Sequence, residues 1–137
     1  EGGTAVDAVE AAVRVLEDNV FFNAGYGSVL NRNGEVECGA MIMEGHTLNN
    51  GAVISGRHFK NPVSLSKEIM YESSCCALSG DGALEFAREK NFPICKPEEL
   101  IHTPGPTPAD GPDTSRTDTV AAVAIDANGH LACATST

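Results

Sequence analysis

No stretch of this 137-residue chain approaches the roughly 18 uninterrupted apolar residues of a membrane-crossing helix, which places the chain in solution. Runs of basic residues are also missing. Nine Lys and Arg are scattered among nineteen Asp and Glu, and the formal net charge is -10. That balance argues against nucleic acid or an anionic membrane surface as a partner, since either favours clustered positive charge. The five cysteines, Cys38, Cys75, Cys76, Cys95 and Cys133, are odd in number and show no CxxC spacing. They do not form a disulfide framework and point to a reducing compartment. Cys38 and Cys133 fall in expected strands, where a free thiol acts as a small buried hydrophobe. His46, His58, His102 and His130 are too dispersed for a recognisable metal centre. The vicinal pair Cys75-Cys76 has no neighbouring positive charge to activate a thiol. The chain opens on Glu1 rather than methionine and shows no leader, so the natural N-terminus is expected upstream.

What is present reads as one domain: 42% hydrophobic and 20% charged residues are ordinary for a globular chain. Thr4 is a good helix cap, with Asp7 three residues later. Val6, Val9, Val13 and Leu16 follow at helical spacing, with Asp7, Glu10, Arg14 and Glu17 expected mostly on other faces. A glycine-punctuated loop, Phe21 through Ser28, comes next. Val29-Leu30 and residues 35–43 flank Asn31-Arg32-Asn33-Gly34, a hairpin signal, and Val36, Cys38, Ala40 and Ile42 share one strand face. A strand is expected at 51–55, and a helix from the cap Asn61 and Pro62 to about Tyr71. A short strand is expected at 75–78 and a helix at 82–90. Residues 92–117 hold most of the prolines and read as an exposed linker. The final stretch reads as a buried hairpin, 119–137, turning at Asp126-Ala127-Asn128-Gly129. The order implies an α+β fold with an antiparallel sheet.

Two places carry candidate chemistry. The loop Asn23-Ala24-Gly25-Tyr26-Gly27 lies between a helix and a strand and lacks a closing Lys-Ser/Thr, so it does not suit nucleotide phosphates. Asp118-Thr119 is sharper. A threonine at the start of a buried strand is either a plain β-branched residue or a nucleophile uncovered by cutting the preceding bond. In the second case its α-amine, with a pKa of roughly 7.7–8.0 in model compounds, accepts the hydroxyl proton.

Asp118-Thr119-Val120-Ala121-Ala122-Val123-Ala124-Ile125-Asp126 together with Ala134-Thr135-Ser136-Thr137 resembles the self-cleaving threonine hydrolases of the plant-type asparaginase family. The resemblance extends in order over Gly2-Gly3-Thr4-Ala5-Val6-Asp7-Ala8-Val9-Glu10, Phe22-Asn23-Ala24-Gly25-Tyr26-Gly27-Ser28-Val29-Leu30, Met41-Ile42-Met43-Glu44-Gly45 and Gly51-Ala52-Val53. It implies the αββα four-layer sandwich of the N-terminal nucleophile hydrolases. It also implies autocleavage at Asp118–Thr119, with 1–118 forming an α-subunit-like part and 119–137 the start of a β-subunit-like part. By the same resemblance Thr119 is the nucleophile, and Thr137 and Asn23 are its neighbours. The backbone carbonyls of Leu16, Glu17, Asn19, Phe22, Ala24 and Tyr26 would hold a structural sodium ion, with no cofactor needed for catalysis.

Expected substrates are L-asparagine and β-aspartyl (isoaspartyl) peptides, acted on in the cytoplasm by an αβ heterodimer that dimerises further. A taspase-like protease cutting after Asp, or a non-catalytic remnant with a structural role, are the alternative readings. Gly39 stands where most relatives are acidic. Compared with the family, the chain starts inside the first helix and stops before the Arg and Asp that grip substrate. It is therefore expected to be a partial chain, inactive alone.

Overall fold

A computed structural model describes residues 2–102 and 119–137. The expected first helix is present as α1, Ala5–Glu17. Thr4 Oγ1 accepts from the Asp7 amide, and the Asp7 carboxylate accepts from the Thr4 amide, so the capping box closes in both directions. Val6, Val9 and Val13 are each at most 2% exposed. Burying each contributes about 1.5–2 kcal/mol, against about 1 kcal/mol for a cap. The apolar stripe, more than the cap, therefore holds α1 against the sheet.

After α1 come β1 (Cys38–Glu44), β2 (Asn50–Gly56), α2 (Pro62–Glu72), β3 (Ala77–Ser79), α3 (Gly80–Glu89), β4 (Val120–Ile125) and β5 (Leu131–Ser136). Short 3-10 turns occupy Gly25–Gly27 and Pro97–Leu100. The strands form one sheet in the order β3-β2-β1-β5-β4. Three of its pairings are antiparallel, while β2 and β3 run parallel. The sheet is thus mixed, where an antiparallel one was expected. The reason is the connection: α2 carries the chain across the sheet, and a crossover of that kind returns a parallel strand.

Register sorts the sheet into two faces. Val53, Ala40, Ser136 and Val120 stand side by side across four strands, each at most 8% exposed. Ile42, Ala132 and Ala134 share that face and pack with Val6, Val9 and Val13 of α1 and Val63 and Met70 of α2. A second cluster joins Val53 and Phe59 to Leu65 and Ile69 of α2 and Ala83, Leu84 and Ala87 of α3. The opposite face carries Met41, Ile54, Val123, Ile125 and Leu131, which remain 42–76% exposed. The described residues form one helical layer on one sheet, half of the αββα sandwich that the resemblance implies. The terminal hairpin is buried on one face only, and Cys133 is exposed rather than buried.

Other expectations shift. Residues 29–30 form no strand, and β1 begins at Cys38 rather than at 35. The Asn31–Gly34 turn does form, with the Gly34 amide 3.0 Å from the Asn31 carbonyl. Glu35 and Glu37 leave the ladder to pair with Arg57 at 3.4 and 3.2 Å. The third strand starts at Ala77, two residues late, and α3 starts at Gly80, two residues early.

The expected exposed linker is partly structured. Phe92 packs edge-on to Phe59, the Cys95 amide donates to the His58 carbonyl at 2.9 Å, and Leu100 is fully buried beside Val36 and Cys38. Proline there breaks regular backbone without preventing packing. The rest of that expected linker, 103–117, lies outside the described residues. Among the described residues no helix is long and apolar enough to cross a membrane.

Asp7 also accepts from Lys67 Nζ at 2.7 Å. The Lys67 hydrogen bond, followed by those from Thr4, holds the Asp7 carboxyl below the ordinary carboxylate range. Such a group stabilises the fold above its unfolded pKa, and the contribution is lost as pH falls through the folded one. Asp7→Ala is expected to cost about 1 kcal/mol at neutral pH, the ion pair being discounted for its exposure. In denaturant titrations across a pH series, the gap between the two proteins should close in acid.

Candidate active site

Thr119 immediately precedes β4 and Thr137 immediately follows β5. The hairpin pairs Val120 with Ser136, so the same register sets Thr119 opposite Thr137. Asp126-Ala127-Asn128-Gly129 fixes that register: the Asp126 carboxylate accepts from the amides of Asn128 and His130 at 2.9 and 3.0 Å. On its other side Thr137 exchanges both backbone hydrogen bonds with Gly39, at 3.0 and 2.8 Å. A Cβ on Gly39 would stand 3.6 Å from Thr137 Cγ2, an ordinary contact. Strand alternation directs Val120 and Ser136 toward the helices and the threonines beside them toward the open face. Thr119 is exposed and Thr137 half-buried. Thr135, paired with Met41 and Ala121, belongs to the open face as well. Asp118 lies outside the described residues.

Asn23 sits in the loop after α1, and its side-chain oxygen accepts from the Val29 amide at 2.9 Å. The loop docks against β1: Cys38 Sγ is 4.0 Å from the Gly25 carbonyl and 3.8 Å from Ser28 Oγ. Cys38 adjoins Gly39, so the Asn23 loop lies at the sheet end where Thr137 is held. The fold thus pairs Thr119 with Thr137 through the hairpin and brings the Asn23 loop to the same end. The loop coils tightly. Gly25 has φ +56°, and a Cβ there would lie 2.8 Å from the Glu17 carbonyl oxygen. A Cβ on Gly27 would lie 2.2 Å from the Phe22 carbonyl oxygen and 2.9 Å from that of Asn19. Both glycines are required because carbonyls occupy the space that side chains would need.

Glu17 is the residue that sequence reasoning placed wrongly. It faces the core and is fully buried. Its Oε1 accepts from the Val63 amide at 3.0 Å and from Ser136 Oγ at 2.7 Å, and its Oε2 accepts from Asn61 Nδ2 at 3.2 Å. Burial pushes its pKa up to about 7, against the lowering effect of the hydrogen bonds from Ser136, Val63 and Asn61. The warning sign was its position four residues after Val13, on the line of the apolar stripe. Asn61, expected to cap α2, makes no side-chain cap; its amide is turned toward Glu17 and Asp18. Glu17 supplies the capping oxygen to Val63 instead.

Cys38 is the thiol nearest this region. It is 1% exposed, and burial pushes its pKa up to about 11, which removes it as a nucleophile at neutral pH. Cys75 and Cys76 are exposed. Iodoacetamide at pH 8 is therefore expected to label Cys75, Cys76 and the exposed Cys133 of this folded chain, and Cys38 only after denaturation. Peptide mass mapping reads the difference.

A helix layer on one face of a mixed sheet, with a threonine at the start of one strand facing a threonine at the end of the next, agrees with the N-terminal nucleophile hydrolase class that the family resemblance implies. The family model described as asparaginase matches residues 1–105, and the chain belongs to that family. It is 47% identical to the isoaspartyl peptidase/L-asparaginase of Mus musculus, over 99% of this chain and 45% of that protein. To that of Homo sapiens it is 43% identical, over 100% of this chain and 48% of the relative. To the plant-type L-asparaginase of Pyrococcus furiosus it is 50% identical, over 69% of this chain and 31% of the relative. The chain spans about half the length of the isoaspartyl peptidase/L-asparaginases it matches.

Proposed function

We propose that the full-length protein carrying this chain is a self-processing threonine amidohydrolase acting on L-asparagine and β-aspartyl peptides. The observation that carries this reading is the hairpin register, which sets Thr119 against Thr137. The names of the relatives supply the substrate class.

In the processing step Thr119 Oγ attacks the Asp118 carbonyl carbon, and the amide becomes an ester as the Thr119 nitrogen leaves. Water then hydrolyses the ester, giving an Asp118 carboxylate and a free Thr119 α-amine. In turnover that amine takes the hydroxyl proton, and Oγ attacks the side-chain amide carbon of asparagine. The proton passes to the departing nitrogen, ammonia leaves, and a second water releases aspartate from the acyl-threonine. Thr137 would donate a hydrogen bond beside the nucleophile, and Asn23 would stand beside it from the loop at the same end of the sheet. Cleavage yields two chains that remain together as an αβ unit, which pairs further.

The loop carbonyls of Leu16, Glu17, Asn19, Phe22, Ala24 and Tyr26 would hold a sodium ion. In support, the Glu17 carbonyl oxygen lies where a Gly25 side chain would stand and those of Asn19 and Phe22 where a Gly27 side chain would, although the Leu16, Asn19, Phe22 and Ala24 carbonyls also accept amides of the loop. Such an ion would stiffen the Asn23 loop and take no part in bond making. The buried free thiol of Cys38 accords with a reducing, cytoplasmic setting.

Thr119→Ala is the direct test. The full-length variant should remain one uncut chain by intact-mass spectrometry and release no ammonia from asparagine, while the wild type yields a fragment beginning at Thr119. A Thr119→Ala protein that still cuts itself overturns the reading. So does a wild type that cleaves peptides after Asp but ignores asparagine and β-aspartyl dipeptides.

A further inference from the structure

We propose that Glu17 is a positioning residue: by gripping Ser136 from beneath the sheet, its buried side chain sets where Thr137 and the facing Thr119 stand. This rests on the proposed function and adds to it a part that the resemblance does not supply.

Ser136 is the unusual member of its row. In the row Val53, Ala40, Ser136, Val120 it contributes a hydroxyl among three apolar side chains, and it is 1% exposed. An alanine would fill a sheet position there without needing a polar partner. Ser136 Oγ instead donates to Glu17 Oε1 at 2.7 Å, across 119 residues of chain. The same Oε1 accepts from the Val63 amide in the first turn of α2, where the helix dipole favours a carboxylate. The grip is therefore fixed at both ends, to a helix N-terminus and to a strand.

A second tie lies beside it. Ser66 Oγ is shared as a donor between the Ala40 and Pro62 carbonyls, each at 3.0 Å, and Ala40 is the residue paired with Ser136. Two neighbouring points of one row are thereby fastened to α2.

The consequence follows from pairing. Ser136 faces Ala40 on one side and Val120 on the other. A displacement of Ser136 is passed to Thr137 through the adjoining peptide and to Thr119 through Val120. A misplacement of about 1 Å at a reacting group can cost about a hundredfold in rate. Glu17 itself lies on the helix face, with the threonines on the other, so it acts through Ser136 and touches no reacting atom.

The test uses the full-length protein. Ser136→Ala is expected to lower kcat on asparagine at least tenfold with KM within about twofold, and to slow appearance of the fragment beginning at Thr119. Glu17→Gln keeps an amide oxygen for both Ser136 and Val63, and with the Asn61 amide flipped to present its oxygen to the new NH2 it should hold kcat well above that of Glu17→Ala. Glu17→Ala should fall as far as Ser136→Ala or further. Hydrogen exchange of peptides covering 131–137 should rise in Ser136→Ala.

Unchanged kcat in Ser136→Ala, or a loss of activity that only tracks the folded fraction, overturns the inference. A wild type that neither cuts itself nor hydrolyses asparagine overturns the proposed function alone. Exchange then decides the grip by itself: an increase confined to the end of β5 upholds it, and no change sinks it.

Discussion

A carboxyl group with no access to water, its pKa raised by burial to about 7, organises this chain. Removing an ionised group from solvent costs several kcal/mol unless donors replace the lost hydration. Around Glu17 the replacements come from elements far apart in sequence: the Val63 amide of α2, the Asn61 side chain before it and the Ser136 hydroxyl of β5. None of these is a formal cation. The end of α1, the start of α2 and the end of β5 must all be in place for the carboxylate to be tolerated, so a local polar requirement fixes a global arrangement. The capping role of Asn61 passes to Glu17 for the same reason, since the Asn61 amide is needed as a donor.

The sheet above this carboxylate has two characters. Its helix face is built largely from small or branched residues, Ala40, Ala132, Ala134 and Val53, which let α1 and α2 approach closely. Its other face keeps Met41, Val123, Ile125 and Leu131 open. The candidate threonines belong to the open side and the buried polar network to the packed side, with one strand residue, Ser136, between them. Chemistry and support are thus separated by the thickness of a sheet.

How much of this could be read from residues alone depended on whether the signal was local. Thr4 and Asp7 announced α1, the alternation of Val36, Cys38, Ala40 and Ile42 announced β1, and Asp126 through Gly129 announced the hairpin, whose register then set Thr119 opposite Thr137. Each of those signals acts within a few residues. The burial of Glu17 is decided by partners 44 to 119 positions away, and side-chain type alone argued for exposure. The parallel pairing of β3 depends on how α2 crosses the sheet. Leu100 was hidden because an apolar pair, Leu100-Ile101, among prolines and charges has no period to betray it, although Leu100 fills a gap beside Val36 and Cys38. The motif Asp118-Thr119 was legible as a motif, while its support was not.

The position of β5 between β1 and β4 has a consequence in time. Ala40 pairs with Ser136, and Glu17 reaches Ser136 across 119 residues, so the sheet closes only after nearly the whole segment has been made. Contacts of such long sequence separation form slowly, since the loop entropy is spent before the pairing rewards it. Until the last strand slides in, Thr119 has no facing partner and no fixed geometry. For the self-processing proposed above, that order would keep the nascent chain chemically quiet while it is still being built.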